Sequence, residues 1–357
     1  MIPFVDEFRD KKIIGDLLNK IHAGWRGKIN IMEVCGGHTM AIRRYGLPGL
    51  LPEGIRLISG PGCPVCVTSR SFIDKLVQLA KIPGTITATF GDLIRVPGSA
   101  SSLEKEKSLG QDIRIIFSPL DAIELAKQNP EKRIIFPGIG FETTAPGSAT
   151  AIIIASQLKL KNFFVLSAHK TMPAAMETLV SEEHVIDAFL APGHVCTVTG
   201  TGDFTFLSEK YNLPVVISGF EPIDILQSVL MIINQKLSGS AKTEIQYKRL
   251  VAPEGNAKAI KNMQEVFVPA DDWWRGLGII KGSGLSIAGK YKKYDADNLL
   301  EYEVEPSEPK GCRCGEVLQG KIRPVDCKLF GKVCQPENPV GACMVSSEGA
   351  CQAWYRY

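Results

Sequence analysis

Between residues 29 and 237, short apolar runs alternate with amphipathic stretches. That rhythm is the mark of βα units wound around a mainly parallel sheet. Eight runs read as strands: Ile29–Val34, Arg56–Ser59, Thr85–Phe90, Ile113–Phe117, Arg133–Phe136, Phe163–Ser167, Val185–Leu190 and Pro214–Ser218. Each runs into a loop bearing Gly or Pro. The stretch Thr68–Ala80 reads as a helix, with a capping hydroxyl at its start and Phe72, Ile73, Leu76, Val77 and Ala80 at helical spacing. The chemically unusual residues fall in the loops directly after strands: Cys35 to His38, Gly60 to Cys66, Gly140 to Thr144, Ala168 to Lys170 and Pro192 to Cys196. Open α/β sheets bind ligands outside the carboxyl ends of their strands, so these loops are expected to converge on one cleft. A shift of 131 residues sets His38 on His169 and Cys63 on His194, with Pro61-Gly62 on Pro192-Gly193. The expectation is two related Rossmann-like βα domains, 1–130 and 131–237, facing a cleft. After Leu237 the rhythm fades into a Gly- and Lys-rich region with a helix at Asn256 to Phe267, and 238–357 reads as a third, cysteine-bearing domain.

At 357 residues with 45% hydrophobic content, the chain can bury two or three cores of ordinary size. A net charge of +3 gives no field of the kind that gathers nucleic acid or an anionic membrane. The basic run Lys290 to Tyr294 and the acidic run Glu301 to Glu308 read as solvated surface. The residues after Met1 lack the apolar stretch of a signal peptide, and the longest aliphatic run, Ala151 to Ala155, is too short to span a bilayer. Cytoplasm is the expected compartment. Gly284 to Lys290 nearly matches a phosphate-binding loop, but Tyr291 stands where the metal-binding Ser or Thr belongs, so the match is discounted. Trp273 and Trp274 read as packing or partner contact.

Six of the ten cysteines lie in the last 46 residues: Cys312, Cys314, Cys327, Cys334, Cys343 and Cys351. In a reducing compartment such crowding points to a metal site or a redox relay. Paired spacings of a zinc knuckle are missing. In an extended chain Cys312 and Cys314 lie roughly 6.6 Å apart on one face, farther than two sulfurs on one zinc at about 2.3 Å per bond. A [4Fe–4S] cluster offers wider-spaced corners and takes four thiolates, leaving two. Spacing favours the cluster and leaves zinc open, since C-x-C can bend.

Cys63-Pro-Val-Cys66 places a C-x-x-C where a strand ends and a helix starts. A helix N-terminus there is expected to depress the thiol pKa from about 8.5 into the ~3.5–7.5 range, suiting disulfide chemistry or soft-metal binding. Cys35-Gly-Gly-His38 offers a thiolate and an imidazole, with glycines that let backbone amides approach a ligand. Alone, Cys35 reads as a small packed hydrophobe and His38 as a core imidazole. Together with Cys63 and Cys66 they read as a mononuclear soft-metal site. Glu142 is a candidate proton relay, or a carboxylate capping the helix that follows it.

These residues resemble a known family, the [NiFe]-hydrogenase maturation factors of the HypD type, nearly end to end. The likeness rests on Glu33 to Thr39, Gly60 to Cys66, Gly140 to Thr144, Pro192 to Val195 and Pro339 to Cys351. It implies a scaffold on which the Fe(CN)₂CO unit of the hydrogenase active site is built, with a chaperone, HypC, a cyanide donor, HypE, and indirectly the hydrogenase large subunit as partners. By that resemblance Cys35, assisted by His38, anchors the iron, and Cys63 with Cys66 forms the adjacent redox or ligand pair. Glu142 and His194 join the site from their own motifs. Cyanide nitrogens would accept from the amides of Gly36, Gly37 and Gly62. The tail is similar to ferredoxin:thioredoxin reductase, which implies Cys312, Cys327, Cys334 and Cys351 as [4Fe–4S] ligands and Cys314 with Cys343 as a redox pair. Met40 departs from the family pattern, which often has a second histidine there, so a two-histidine site is not expected.

The leading expectation is therefore a redox-active assembly scaffold rather than an enzyme with turnover of its own. Electrons would pass from the cluster through Cys314/Cys343 to Cys63/Cys66 and the iron at Cys35. Two alternatives need fewer parts: a stand-alone thiol–disulfide oxidoreductase, and a zinc-stapled binding module.

Overall fold

The computed structural model describes residues 6–300 and 308–357. Residues 301–307, most of the acidic run, lie outside the described residues.

The fold is mixed α/β, built on two parallel sheets. The strands of the first are β1 (Ile29–Glu33), β2 (Ile55–Ser59), β7 (Ala188–Pro192), β8 (Val215–Ser218) and β9 (Thr243–Ile245), in the spatial order β2-β1-β7-β8-β9. The second holds β3 (Thr85–Thr89), β4 (Asp112–Ile115), β5 (Arg133–Gly140) and β6 (Phe163–His169), in the order β4-β3-β5-β6. All eight expected strands are present, within a few residues at each end. The helix over Arg70–Lys81 starts on Ser69, whose hydroxyl accepts the Phe72 N–H, and buries Phe72, Ile73, Leu76, Val77, Leu79 and Ala80.

Side-chain alternation divides each strand between two cores. Met32, Val34, Phe189 and Val215 of the first sheet meet Ile135 and Leu166 of the second in a core between the sheets. Ile29, Ile31, Leu190 and Val216 turn to the outer helices of the first sheet. Ile86, Ile134, Phe136 and Val165 do the same on the second. Both faces of every central strand are covered, which explains why the strands read as continuous apolar runs.

The strands do not divide at residue 130. The first sheet takes strands from residues 29–59 and 188–245, and the second takes those from 85–169, so one sheet is inserted within the other. The chain crosses between sheets after β2 and returns after β6. The repeat of period 131 does not relate the two sheets: the Cys63 and His194 loops, which it superposes, follow β2 and β7 of the same sheet.

Beyond Ile245, the helix Ala257–Val266 forms as expected. It leads into an antiparallel hairpin, β10 (Phe267–Trp274) and β11 (Gly278–Ile287), which the sequence reading left unassigned. Gly284 to Ile287 belong to β11, so the discounted phosphate-loop match sits on a strand with no loop-to-helix geometry. Trp274 is buried and donates to Ser283. From Cys312 onward the described residues form short helices and turns, with no strand among them.

Candidate functional site

The site is built at the carboxyl edge of the first sheet. Cys35 lies two residues after β1 and is the N-cap of the helix Gly36–Arg44. Cys63 follows β2 and caps the short helix Pro64–Val67, its Sγ accepting the Cys66 N–H at 3.3 Å. Two glycines make the approach of these loops possible. A Cβ on Gly62 would fall 2.1 Å from the Cys35 nitrogen, and one on Gly36 would fall 2.4 Å from the Cβ of Glu348. The Gly36 N–H donates to the Gly62 oxygen at 2.9 Å, joining the two loops.

The sulfur of Cys35, part-exposed, lies near the amides of Gly37 and His38. Burial, with the Glu348 and Glu33 carboxylates beside it, nevertheless pushes its pKa up to about 12. Burial likewise raises Cys63 and Cys66. The depressed thiol pKa expected for the C-x-x-C is thus overturned: a four-residue helix in a dry core does not offset the loss of solvation.

His38 is fully buried. Its Nε2 faces the carbonyl oxygens of Gly219 (2.9 Å) and Ser218 (3.3 Å), which makes it the protonated nitrogen. Burial lowers its pKa to about 4, so the ring is neutral, and Nδ1 is left buried with no partner. The ring stacks on Phe220 at 4.4 Å, and His194, exposed, stacks on the other face of Phe220 at 3.9 Å. His169 does not join them. It ends β6, buried between Ser148 and Ser167. Lys170 is held by Asp272 and the Trp273 oxygen. The expected convergence of all five loops is therefore partial.

Glu142 is buried and caps a helix, though not the one that follows it. Its Oε1 accepts the N–H of Met172, at the start of the helix Met172–Val180, and Oε2 has no partner. Burial pushes its pKa up to about 7. It lies near Cys196, which in turn lies near Cys35.

All six tail cysteines line one small pocket of about 20 Å³, walled otherwise mainly by Val317, Leu329, Phe330 and Met344. Cys351 has Cys312, Cys334 and Cys327 as its charge neighbours, the four for which cluster ligation is implied. Four thiols around an apolar space fit a four-thiolate group. Among the described residues, no three His, Cys, Asp or Glu side chains form a ready ligand group for a single ion. The other two thiols lead inward. Cys314 is in thiol contact with Cys312 and Cys343, Cys343 with Cys66, and Cys66 with Cys63. A series of neighbouring thiols thus leads from the tail cavity to Cys63, whose loop abuts the Cys35 backbone at Gly62, all ten cysteines being free thiols.

Three residues of this site escaped the sequence reading. Glu33, buried at the end of β1, accepts the Thr39 hydroxyl at 2.5 Å, and burial pushes its pKa up to about 8. A carboxylate closing an apolar run was the available signal. Glu348 reaches from the tail to Cys35 and Cys63. Arg275, buried at the hairpin tip, bonds the Thr68 oxygen and lies beside the thiols of Cys314, Cys343 and Cys312. Glu348 lies within the Pro339 to Cys351 motif without being singled out there, and nothing local marks Arg275.

Fold and site together define a class: a two-sheet α/β protein with a buried series of thiols leading from a six-cysteine pocket toward a Cys-Gly-Gly-His loop. The family described as "HypD: Hydrogenase formation hypA family" matches residues 12–357. A putative hydrogenase expression/formation protein of Methanocaldococcus jannaschii is 45% identical over 361 residues, covering 100% of this chain and 99% of the relative. The hydrogenase maturation factors HypD of Escherichia coli and Rhodobacter capsulatus are each 44% identical over 368 residues, covering 99% of this chain and 98% of theirs. The chain belongs to the HypD family of hydrogenase maturation factors.

Proposed function

We propose that this chain is the scaffold on which the Fe(CN)₂CO unit of a [NiFe] hydrogenase is assembled, with HypC as its chaperone partner and HypE as the cyanide donor. The observation that carries the reading is the series of neighbouring thiols Cys314, Cys343, Cys66 and Cys63, the last of which follows Gly62, packed on the Cys35 backbone nitrogen. Iron is the cargo, and Cys35 is its anchor. Of the amides expected to meet cyanide nitrogens, those of Gly36 and Gly62 already donate to the Gly62 and Gly60 oxygens, so the donor left for a ligand beside the Cys35 sulfur is the Gly37 amide. His38, neutral and fixed by Gly219, positions the first turn behind Cys35 rather than supplying a proton.

Cys312, Cys327, Cys334 and Cys351 would hold a [4Fe–4S] cluster, whose chemistry is the supply of electrons one at a time. Closing a Cys63–Cys66 disulfide forms one S–S bond and releases two electrons and two protons, which the neighbouring pair Cys314/Cys343 would take up only as a disulfide, its S–S bond breaking to give two thiols. Arg275, ion-paired with Glu308, is the cation beside Cys312, Cys314 and Cys343, though burial and the neighbouring thiols still hold these thiols protonated. The stand-alone oxidoreductase reading is disfavoured by access: Cys63, Cys66, Cys314 and Cys343 are each 3% exposed or less, out of reach of a protein disulfide.

The test is an infrared spectrum of the chain co-produced with its partners. Cyanide and carbonyl stretches are expected, and their persistence in Cys35→Ala would remove Cys35 as the anchor. Anaerobic iron and sulfide analysis tests the tail; zinc without acid-labile sulfide would overturn the cluster.

A further inference from the structure

β2 is the outermost strand of the first sheet, and among the described residues it pairs only with β1. The Ile29 N–H donates to the Gly54 oxygen, and the Gly60 N–H donates to the Glu33 oxygen, each at 2.8 Å. Even-numbered residues of β2 therefore face β1, and alternation turns the backbone N–H and C=O groups of Leu57 and Ser59 outward. They do not open onto bare surface. A cleft of about 370 Å³ runs along this edge, lined by every residue of β2 and closed on its far side by Gly320 to Pro324.

The cleft is basic. Arg43, Arg56 and Lys321 line it with no ion pair among the described residues, and Arg323 alone is paired, with Asp326 at 3.0 Å. The Arg43 guanidinium lies 3.3 Å over the Trp354 ring, which forms one end of the cleft. A five-residue edge, roughly 17 Å long, matches a short extended peptide. Unsatisfied edge groups favour a strand as occupant, and the unpaired cations favour an acidic one.

We propose that this cleft is a strand-addition site, in which an extended acidic segment of a partner protein pairs with the free edge of β2 and sets its carboxylates against Arg43, Arg56 and Lys321. Docking here touches the last turns of two helices, Gly36–Arg44 and Ala350–Arg356, whose first turns adjoin Cys35 and carry Cys351. A partner held on β2 would thus grip the elements that position both thiol centres without touching a thiol.

The full chain is titrated into a fluorescein-labelled six-residue peptide of alternating Glu and Val, followed by anisotropy. Saturable binding with a Kd on the order of 100 μM, weakening as salt rises, is expected. Arg56→Glu with Lys321→Glu, both at exposed positions, is expected to weaken it about tenfold or more. The same peptide N-methylated at alternate amides keeps its charge but cannot pair, and is expected to lose binding. Equal binding of the N-methylated peptide would show charge attraction alone and overturn the proposal. So would indifference to the charge reversal, or no saturation up to about 1 mM.

Discussion

The two sheets and the tail are held together differently. In the sheets every central strand is paired along its length and covered on both faces, and the cores are aliphatic. The tail from residue 308 onward has two short α-helices, Cys314–Leu318 and Ala350–Arg356, joined by turns and 3₁₀ segments; Leu318, Ala342 and Val345 join the core between the sheets, while Val317, Leu329, Phe330 and Met344 surround thiols. A stretch that small cannot bury enough apolar surface to order itself, and such stretches usually need a metal or cross-link. In the first region the backbone ladder makes the structure and chemistry is placed on its edge. In the second the chemical groups are themselves the structure.

The largest effect should come from breaking the tail's thiols. On the proposed cluster, Cys334→Ala is expected to abolish iron bound in the tail, with lost hydrogen-exchange protection after residue 308. The sheets should keep theirs. Unchanged protection in the tail would break the contrast. Conversely, Ile134→Ala, at a fully buried position of the outer core, should destabilise the α/β part by about 2–5 kcal/mol. Denaturant titration measures it, with the iron of the folded chain unchanged.

Gly62→Ala tests where the regions meet. The added methyl would meet the Cys35 nitrogen, so about 1–3 kcal/mol is expected from overpacking. Loss of the cyanide and carbonyl bands with cluster iron retained would place the damage at the sheet edge alone. The smallest effect concerns pH. Burial pushes the Glu142 pKa up to about 7 from 4.5, so the folded state binds the proton more tightly than the unfolded. Stability from this group is whole below about pH 4.5 and declines as pH rises through 7. Glu142→Gln should flatten that decline, a change on the order of 1–3 kcal/mol across the window, seen by thermal melts at several pH values.

The eight strands were legible because a doubly buried parallel strand is apolar at consecutive positions, whichever sheet receives it. For the same reason the membership of the sheets was not: β2 and β3 read alike, yet the chain changes sheets between them. β9 is three residues long and part-buried, too short for a pattern. The hairpin was obscured by Asp271 and Asp272 and by a register shift between Ala270 and Asp272. Within the site, Cys35, Cys63 and Cys66 announced themselves by type and spacing. Glu348 and Arg275 did not, because what makes them part of it is a contact across hundreds of residues.

By itself the sequence determined the eight strands of the βα region, which loops carry thiols and which family the motifs resemble, since these follow from local periodicity and residue type. Only the tertiary structure decided that one sheet is inserted in the other, that the thiols of Cys63 and Cys66 lie buried with raised pKa, and that Cys343 bridges the tail to them. Solvation and sulfur-to-sulfur contact are properties of what surrounds a residue, and distant segments supply those surroundings only once the chain is folded.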